Sequence, residues 1–290
     1  MLTSEYFAVD GALVLAVPTK LGQEFFFEEK ADEKSIVFWE AYHQNKLWLK
    51  AVIDYKNWQI LETNITSSAE FILKTLKNVQ SLSETKFKST DSYHLKTNLQ
   101  FPSDYGLGSS STLMNNLAEW SDIDPFHLNS ISLGGSGYDI AVAKAKSAVL
   151  YQNKPEIHFE KINYNPKFKN DLIFIHLNQK QNSREGINLY KSKTKSQNLV
   201  DKFSDLTRNI LLCDELDNFS HLMMLHEQRI SDFIGIPTVK SIFFADCAKF
   251  VKSLGAWGGD FVMSAKFEGY EDYFWGKGFT TVFEWNDLIN

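Results

Sequence analysis

The segment PSDYGLGSSS, residues 102–111, joins a strand-like run, SYHLKTNLQF, to a helix-like run, TLMNNLAEW. Gly106 and Gly108 permit positive φ angles and let an anion approach the main-chain N–H groups closely. The serines at 109–111 then open a helix, whose first N–H groups lack partners within the helix and whose dipole favours negative charge. The segment is typical of a phosphate-binding loop; the alternative is a serine-capped helix after a flexible turn. Its spacing matches neither a Walker loop nor a GxGxxG dinucleotide fingerprint.

The rest of the chain alternates strand-like and helix-like patterns. The early runs predicted as strands are EYFAV, QEFFFEE, SIVFWEAYH, KLWLKAVID and QILETN, and ITSSAEFILKTLKNVQSL has helical spacing with Thr66 or Ser67 placed to cap its start. Further on, SAVLYQ and EIHFEKI predict a hairpin, DLIFIHL a buried strand, residues 184–235 mainly helix, and FVMSAKF and TTVFEW two more strands. The fold class is therefore α+β. The polar segment around Tyr164–Asn170 predicts a boundary between domains 1–165 and 166–290.

Composition excludes several classes of protein. With 290 residues, 43% of them hydrophobic, the chain can bury the core of one large or two modest domains. A net charge of -6 and dispersed lysines argue against a nucleic-acid partner. The apolar runs are shorter than the ~20 residues of a membrane span, and MLTSEYFAVDG lacks the pattern of a signal peptide. Cys213 and Cys247 lie far apart, which favours free thiols. We expect a cytoplasmic protein, monomeric or homodimeric, that binds neither nucleic acid nor membrane.

Two further glycine-rich segments carry polar residues. In GGSGYDIAV the glycines of residues 134–137 predict a tight turn that presents Ser136 and Asp139. An aspartate so placed could orient or deprotonate a hydroxyl group, or it could simply cap the helix that follows. The segment KSLGAWGGDF, residues 252–261, predicts another turn leading into a buried strand, and by itself it could be any β-turn.

In this order the three segments resemble the motifs of the GHMP kinases, the small-molecule kinase superfamily that includes galactokinase, homoserine kinase, mevalonate kinase and phosphomevalonate kinase. The ATP-loop pattern Pro-x-x-x-Gly-Leu-Gly-Ser-Ser matches Pro102, Gly106, Leu107, Gly108, Ser109 and Ser110. The Ser-Gly-x-Asp element matches Ser136, Gly137 and Asp139, and the C-terminal glycine-rich turn matches Gly255, Ala256, Gly258 and Gly259. The opening SEYFAVDGALVLAV resembles that of mevalonate and phosphomevalonate kinases through Glu5, Tyr6, Val9 and Gly11.

The resemblance implies a two-domain GHMP kinase fold, with a left-handed βαβ crossover in the N-terminal domain and a ferredoxin-like C-terminal domain. It implies ATP and Mg²⁺ as cofactors and a small-molecule substrate. The ATP-binding residues would be Gly106, Leu107, Gly108, Ser109, Ser110 and Ser111, with Ser110 as a Mg²⁺ ligand. Asp139 would be the catalytic base or orienting group. The substrate-binding residues would be Glu5, Ser136, Gly137, Gly255, Ala256, Gly258 and Gly259.

The opening segment also indicates the acceptor. Ala8 and Val9 stand where galactokinases carry a sugar signature, so mevalonate or phosphomevalonate is favoured over a sugar. In QKQNSREG, Arg184 or Lys180 could bind an acceptor phosphate or carboxylate, the alternative being a solvated loop. We therefore expect an ATP-dependent kinase that transfers the γ-phosphate to a hydroxyl or phosphate of such an acceptor in isoprenoid synthesis. The alternative is a catalytically impaired relative that binds nucleotide or metabolite.

The sequence departs from the family at four places. No lysine precedes Glu5, and Ser4 takes the place of a glycine. Either the start lies downstream of the true one, or the protein lacks this cation. Residues 126–138 contain no carboxylate, which leaves the second Mg²⁺ ligand unassigned. The bulky Trp257 lies within a usually small-residue run, where it would narrow the choice of acceptor or pack against the sheet. The nearest carboxylates to the Ser-Gly-x-Asp element, expected at solvated helix ends, are Glu119, Asp122 and Asp124.

Overall fold

The computed structural model describes residues 1–179, 183–255, 257 and 259–290, with only the main chain of residues 183–185. The chain forms two compact units. Unit 1 comprises Met1–Lys20, Asp104–Leu107 and Ala141–Asn290, and unit 2 comprises Leu21–Ser103 and Gly108–Ile140. The division at 165/166 concerns the linear sequence and stays a prediction.

The elements follow the predicted alternation of strands and helices. The strands are β1 (Val14–Ala16), β2 (Gln23–Lys30), β3 (Ile36–His43), β4 (Lys46–Asp54), β5 (Gln59–Thr63), β6 (Ser92–Leu99), β7 (Ala148–Gln152), β8 (His158–Ile162), β9 (Leu172–His176), β10 (Val251–Leu254), β11 (Phe261–Ala265) and β12 (Val282–Glu284). The helices are α1 (Thr66–Leu82), α2 (Ser109–Ser121), α3 (Pro125–Ser132), α4 (Tyr138–Ala145), α5 (Ser183–Ser192), α6 (Gln197–Leu211), α7 (Leu216–Ile234), α8 (Val239–Phe243), α9 (Tyr270–Gly276) and α10 (Trp285–Leu288). Among the described residues, no helix is both long and apolar enough to cross a bilayer.

Unit 2 is a five-stranded sheet with the spatial order β2-β6-β3-β4-β5. β3 pairs in parallel with β6, whereas β3 with β4 and β4 with β5 are antiparallel pairs. β5 and β6 therefore run in the same direction, and α1 makes the βαβ crossover between them. Along β3, every second residue is buried, and Val37, Trp39 and Ala41 pack in one core with apolar residues of α1 such as Leu76.

Unit 1 contains a three-stranded antiparallel sheet, β1-β7-β8, and a four-stranded antiparallel sheet, β10-β11-β9-β12. Numbered within the second sheet, the strands lie in the order 2-3-1-4, with α6 and α7 before the second strand and α9 before the fourth. This is the predicted ferredoxin-like arrangement. Every residue of β9 is buried, because Phe174 packs in a core on one side of the sheet and Ile173 and Ile175 in a core on the other. Burial on both sides explains the continuous apolar run in the sequence.

The prediction of a strand at EYFAV is wrong. Ser4 and Tyr6 have positive φ angles of 64° and 63°, and Phe7–Asp10 forms a 3-10 turn. Phe7 stacks on Phe203 of α6 with 3.9 Å between ring centroids. Burial of these side chains outweighs the strand propensity of the segment. The predicted cap of α1 is also wrong, since Ile65 is the N-cap residue and makes no side-chain cap bond. Cys213 and Cys247 are free thiols, as predicted.

Candidate active site

The glycine-serine loop leads directly into α2. Gly106 and Gly108 have positive φ angles of 64° and 84°, the region that favours glycine. Gly108 is the N-cap residue of α2, and no side chain among the described residues caps this end. A Cβ at Gly108 would meet no atom within 4 Å. The first turn of α2 is therefore open on the side where an anion would accept hydrogen bonds from its N–H groups.

Asp139 lies at the start of the first turn of α4, close to the first turn of α2. Its Oδ2 accepts a hydrogen bond from the Ser111 hydroxyl, and its Oδ1 accepts one of 3.0 Å from the N–H of Ile140. The side chain of Asn115 ties the two helices together, because its amide donates to the carbonyls of Ser111 at 3.0 Å and Ile140 at 3.3 Å. The carboxylate thus contacts α2 as well as the start of its own helix, so capping alone does not account for it.

The turn before α4 requires its glycines. Gly134, Gly135 and Gly137 have φ angles of 76°, 95° and 87°. Only glycine adopts three such conformations within four residues at little cost. The turn also contains Ser136, which is partly exposed, and it directs the chain into α4 so that Asp139 contacts Ser111.

The first half of the glycine-serine loop packs against the four-stranded sheet of unit 1. The Tyr105 ring lies 4.6 Å from that of His176 and 5.5 Å from that of Phe261. A Cβ at Gly106 would overlap the carboxylate of Asp260, so glycine is required here by contact as well as by φ. Asp260 is only 6% exposed, and its carbonyl accepts the N–H of Leu177 at 3.0 Å.

The glycine-rich turn after β10 is described only in part, since Ala256 and Gly258 lie outside the described residues. Gly255 has a φ angle of 70°, and Gly259 is buried. Trp257 is 3% exposed, packs in a core with residues of α6 and α7, and donates its Nε1–H to Glu227 at 3.0 Å. The indole is thus a buried anchor among the helices of unit 1.

Glu5 lies in a buried ion pair. Its Oε1 is 2.6 Å from Nζ of Lys252, and the two side chains are fully buried. His226 Nε2, 3.6 Å from Glu5 Oε2, accepts the N–H of Ser4 at 2.6 Å. Burial raises the pKa of Glu5 against the opposing effect of Lys252. Oε1 of Glu5 is bonded to Lys252, and the contact of Glu5 with substrate stays a prediction.

Sequence reasoning did not identify Lys252 and Glu227 as members of this buried cluster. A signal for each was present: Lys252 is a lysine inside the apolar run FVKSL, and Glu227 lies on the apolar face of α7 between Met223 and Ile230. Charged residues are almost never fully buried unless they are paired. His226 is fully buried, whereas His221 on the same helix is exposed.

The structure describes only some of the remaining candidate site residues. Arg184 belongs to α5, but its side chain is outside the described part of the chain, as is the whole of Lys180. Asp124 caps α3 by accepting the N–H groups of Phe126 and His127. Glu119 and Asp122 are exposed, the latter at the C-terminus of α2. Within the described residues, no group of three or more His, Cys, Asp or Glu side chains could hold a metal ion.

The fold is that of the GHMP kinases, as the resemblance of the motifs predicted. Among solved structures, mevalonate kinase from L. major in complex with R-mevalonate is similar over 98% of this chain and 91% of its own, with a TM-score of 0.65 and 14% identity. Streptococcus pneumoniae phosphomevalonate kinase in complex with phosphomevalonate and AMPPNP covers 98% and 96%, with a TM-score of 0.66 and 14% identity.

A third similar structure is Lactococcus lactis galactokinase complexed with galactose, with a TM-score of 0.65, 11% identity, and coverage of 98% of this chain and 90% of its own. Comparison with sequence families and with curated protein sequences finds no match. At such identities the similarity establishes the fold alone, and the three proteins are complexed with chemically different small molecules.

Proposed function

We propose that this protein is an ATP-dependent small-molecule kinase that transfers the γ-phosphate to a hydroxyl or phosphate group of mevalonate or phosphomevalonate. The observation that carries the proposal is the hydrogen bond between Ser111 and Asp139, which places a carboxylate at the open N-terminus of α2 immediately after the glycine-serine loop. An anion-binding helix end beside a candidate base is what phosphoryl transfer to a hydroxyl requires.

The phosphates of ATP would be held by the main chain of the loop. The N–H groups in the first turn of α2 point away from the helix, towards Gly108. The dipole of this 13-residue helix adds partial positive charge at the same end, which favours bound phosphate. The Ser110 hydroxyl is the proposed Mg²⁺ ligand. Bound Mg²⁺ would neutralise charge on the phosphates. Gly106 and Leu107, packed against unit 1, would hold the loop in shape.

Asp139 would orient the acceptor hydroxyl and take its proton. Asp139 Oδ2 accepts a hydrogen bond from the Ser111 hydroxyl. An acceptor hydroxyl could make the same hydrogen bond to this carboxylate, which supports the proposed role. Ser136 and Gly137, just before α4, would line this end of the site.

A mevalonate-type acceptor is supported by the opening segment, which resembles that of mevalonate and phosphomevalonate kinases. Such acceptors carry a carboxylate, and a phosphorylated one carries a phosphate as well. Arg184, with its planar guanidinium group, is the proposed ligand for that anion. The turn containing Gly255 and Gly259, with Ala256 and Gly258, would close the site beside the acceptor.

The test is ADP release with ATP and Mg²⁺ in the presence of mevalonate, phosphomevalonate, homoserine or galactose. Asp139→Asn keeps the shape of the side chain and removes the base, so turnover should fall about 10²- to 10⁴-fold while ATP still binds. The matched control is Asp122→Asn, the same change at an exposed helix end, which should retain full turnover. Equal turnover in wild type and Asp139→Asn would contradict the proposed role.

A second candidate function is a protein that binds nucleotide without transferring phosphate. It is favoured by the absence of a carboxylate at residues 126–138, which leaves the second Mg²⁺ ligand unassigned. ATP binding by calorimetry, combined with no ADP release with any of the four acceptors, would identify it. Acceptor-dependent ADP release from the wild-type protein would exclude it.

A further inference from the structure

The glycine-rich turn after β10 is tied to one buried carboxylate at two points. Glu227 of α7 accepts the N–H of Ser253 at 3.2 Å and the Ser253 hydroxyl at 2.8 Å. It also accepts Nε1–H of Trp257 at 3.0 Å. Ser253 lies before the turn and Trp257 within it, so a single side chain of a helix holds both parts of the segment.

The chemistry of these contacts demands an acceptor at position 227. A main-chain N–H and an indole N–H can only donate, and the serine hydroxyl donates here as well. All three donors converge on a side chain that is 2% exposed, where water cannot replace a lost partner. Lys252, also fully buried, lies beside Ser253 in sequence and donates to its carbonyl at 2.7 Å, so a cation accompanies the carboxylate in this core.

Trp257 is held from further directions. Its ring lies in a buried cluster with Phe203 of α6 and Ile230 of α7. The hydroxyl of Tyr6 is hydrogen-bonded to the main chain of Trp257, and the same tyrosine packs closely on Gly186 of α5. A residue at this position with a small side chain would make none of the ring contacts and could not donate to Glu227.

We infer that Glu227 and Trp257 together anchor the glycine-rich turn, and that Glu227 is a positioning residue that presets the shape of the acceptor site through this turn. The consequence for the acceptor rests on the proposed function, whereas the anchoring itself does not. Because Ser253 and Trp257 are held by contacts within unit 1, these two points of the segment are fixed before any ligand binds. The acceptor must then fit a preset site, and loosening the anchor should weaken acceptor binding more than nucleotide binding.

The first measurement is hydrogen exchange by mass spectrometry on peptides covering residues 250–262. Trp257→Phe keeps an aromatic ring and removes the indole N–H, so exchange in this segment should become about tenfold faster, as expected for the loss of one buried hydrogen bond. Trp285→Phe is the matched control, since Trp285 is a buried tryptophan of unit 1 in a different core. Unchanged exchange in Trp257→Phe, or an equal change in Trp285→Phe, would overturn the anchoring.

Glu227→Leu provides a second variant, because its apolar side chain would leave the N–H and hydroxyl of Ser253 and the indole N–H of Trp257 without an acceptor and should accelerate exchange further. If this protein does not fold, Trp257→Phe still decides the question. The second readout is kinetic: Trp257→Phe should raise KM for the acceptor about tenfold and leave KM for ATP unchanged. Faster exchange with an unchanged acceptor KM would overturn the positioning role. A wild-type protein without phosphoryl transfer would contradict the proposed function, while the exchange measurement would still test the anchor.

Discussion

His226 connects the buried cluster of unit 1 to a measurable pH dependence. Its side chain is entirely buried, and its Nε2 accepts the N–H of Ser4. Burial, with Lys252 and Arg229 nearby, holds the pKa of His226 well below its usual value of 6.5. The native imidazole is therefore neutral at pH values where the unfolded chain already binds a proton.

The sign of the effect follows from this difference. The pKa of His226 is lower in the folded protein than in the unfolded chain. The free energy of unfolding is therefore unaffected by His226 above pH 6.5 and falls by about 1.4 kcal/mol per pH unit below it. His226→Gln keeps an acceptor for Ser4 and removes the titration, so the free energy of unfolding should decline less between pH 6.5 and 5. Urea denaturation at several pH values measures it. His221→Gln, an exposed site on the same helix, should behave like wild type.

The variant must be compared with wild type because two neighbouring carboxyl groups, Glu5 and Glu227, change the pH dependence of stability in the opposite direction. Burial raises the pKa values of Glu5 and Glu227, so their contribution is lost as the pH rises above 4.5. An identical pH slope for His226→Gln and wild type would show that His226 does not titrate as described.

Ser4 illustrates a residue whose role depends on distant partners. Its φ angle of 64° is in the region that favours glycine, the residue that the family carries at this position. The Ser4 hydroxyl donates to the carbonyl of Leu13 at 2.7 Å and lies 3.2 Å from the hydroxyl of Thr207. These buried hydrogen bonds offset the backbone strain, which explains why a residue other than glycine is accommodated.

Among the structural elements, the glycine-serine loop offers a comparison of two glycines. Both have positive φ angles, but a side chain at Gly106 would overlap the Asp260 carboxylate, whereas one at Gly108 would meet nothing. Gly108→Ala should cost about 1 kcal/mol of stability from backbone conformation alone. Gly106→Ala should cost more, by roughly 1–3 kcal/mol, because the loop or Asp260 must also move. Thermal unfolding of both variants measures the difference.

The double variant Gly106→Ala with Asp260→Ala tests the cause. If the contact with Asp260 is responsible, the second substitution should recover part of the loss, and the two changes should not be additive. Equal stabilities of Gly106→Ala and Gly108→Ala would indicate that the overlap is relieved without cost.

Elements with a long, regular pattern were predicted well. The alternation in β3 and the helical spacing of α1 each correspond to one buried face, and local periodicity reports such a face directly. Asp124 caps α3 and Pro125 is its first residue, which is a local signature of a helix start. The prediction failed for the short segment EYFAV, which has a strand composition but is not a strand. Its conformation depends on the burial of Glu5 and Phe7, whose partners lie far along the chain.

Considered as a whole, the chain interleaves its two units. Unit 2 lies almost continuously within residues 21–140, and its core is built entirely from that range. A fragment of residues 21–140 should therefore unfold cooperatively in urea, followed by circular dichroism. Residues 166–290 should not fold stably, because that fragment lacks Leu2, Leu15 and Val17 of the core around Phe174. It also leaves Lys252 without Glu5, and a buried charge without its partner costs about 3–5 kcal/mol.

A cooperative transition for residues 166–290 with the stability of the intact chain would contradict this prediction and would support a division of the linear sequence at 165/166. A peptide of residues 1–20, added in excess to a fragment of residues 141–290, should restore structure to that fragment. The peptide supplies both the missing core residues and Glu5.

The sequence alone determined the candidate loop, because the conformation of that loop depends on neighbouring residues. Gly106, Gly108 and the serines after them specify a helix end with free N–H groups through local φ angles and spacing. The order of the motifs then indicated the GHMP kinase fold. Tertiary structure decided which charged residues are buried together: Glu5 and Lys252 are 247 positions apart. No local pattern encodes such a pairing, since it arises only when distant segments share one low-dielectric core.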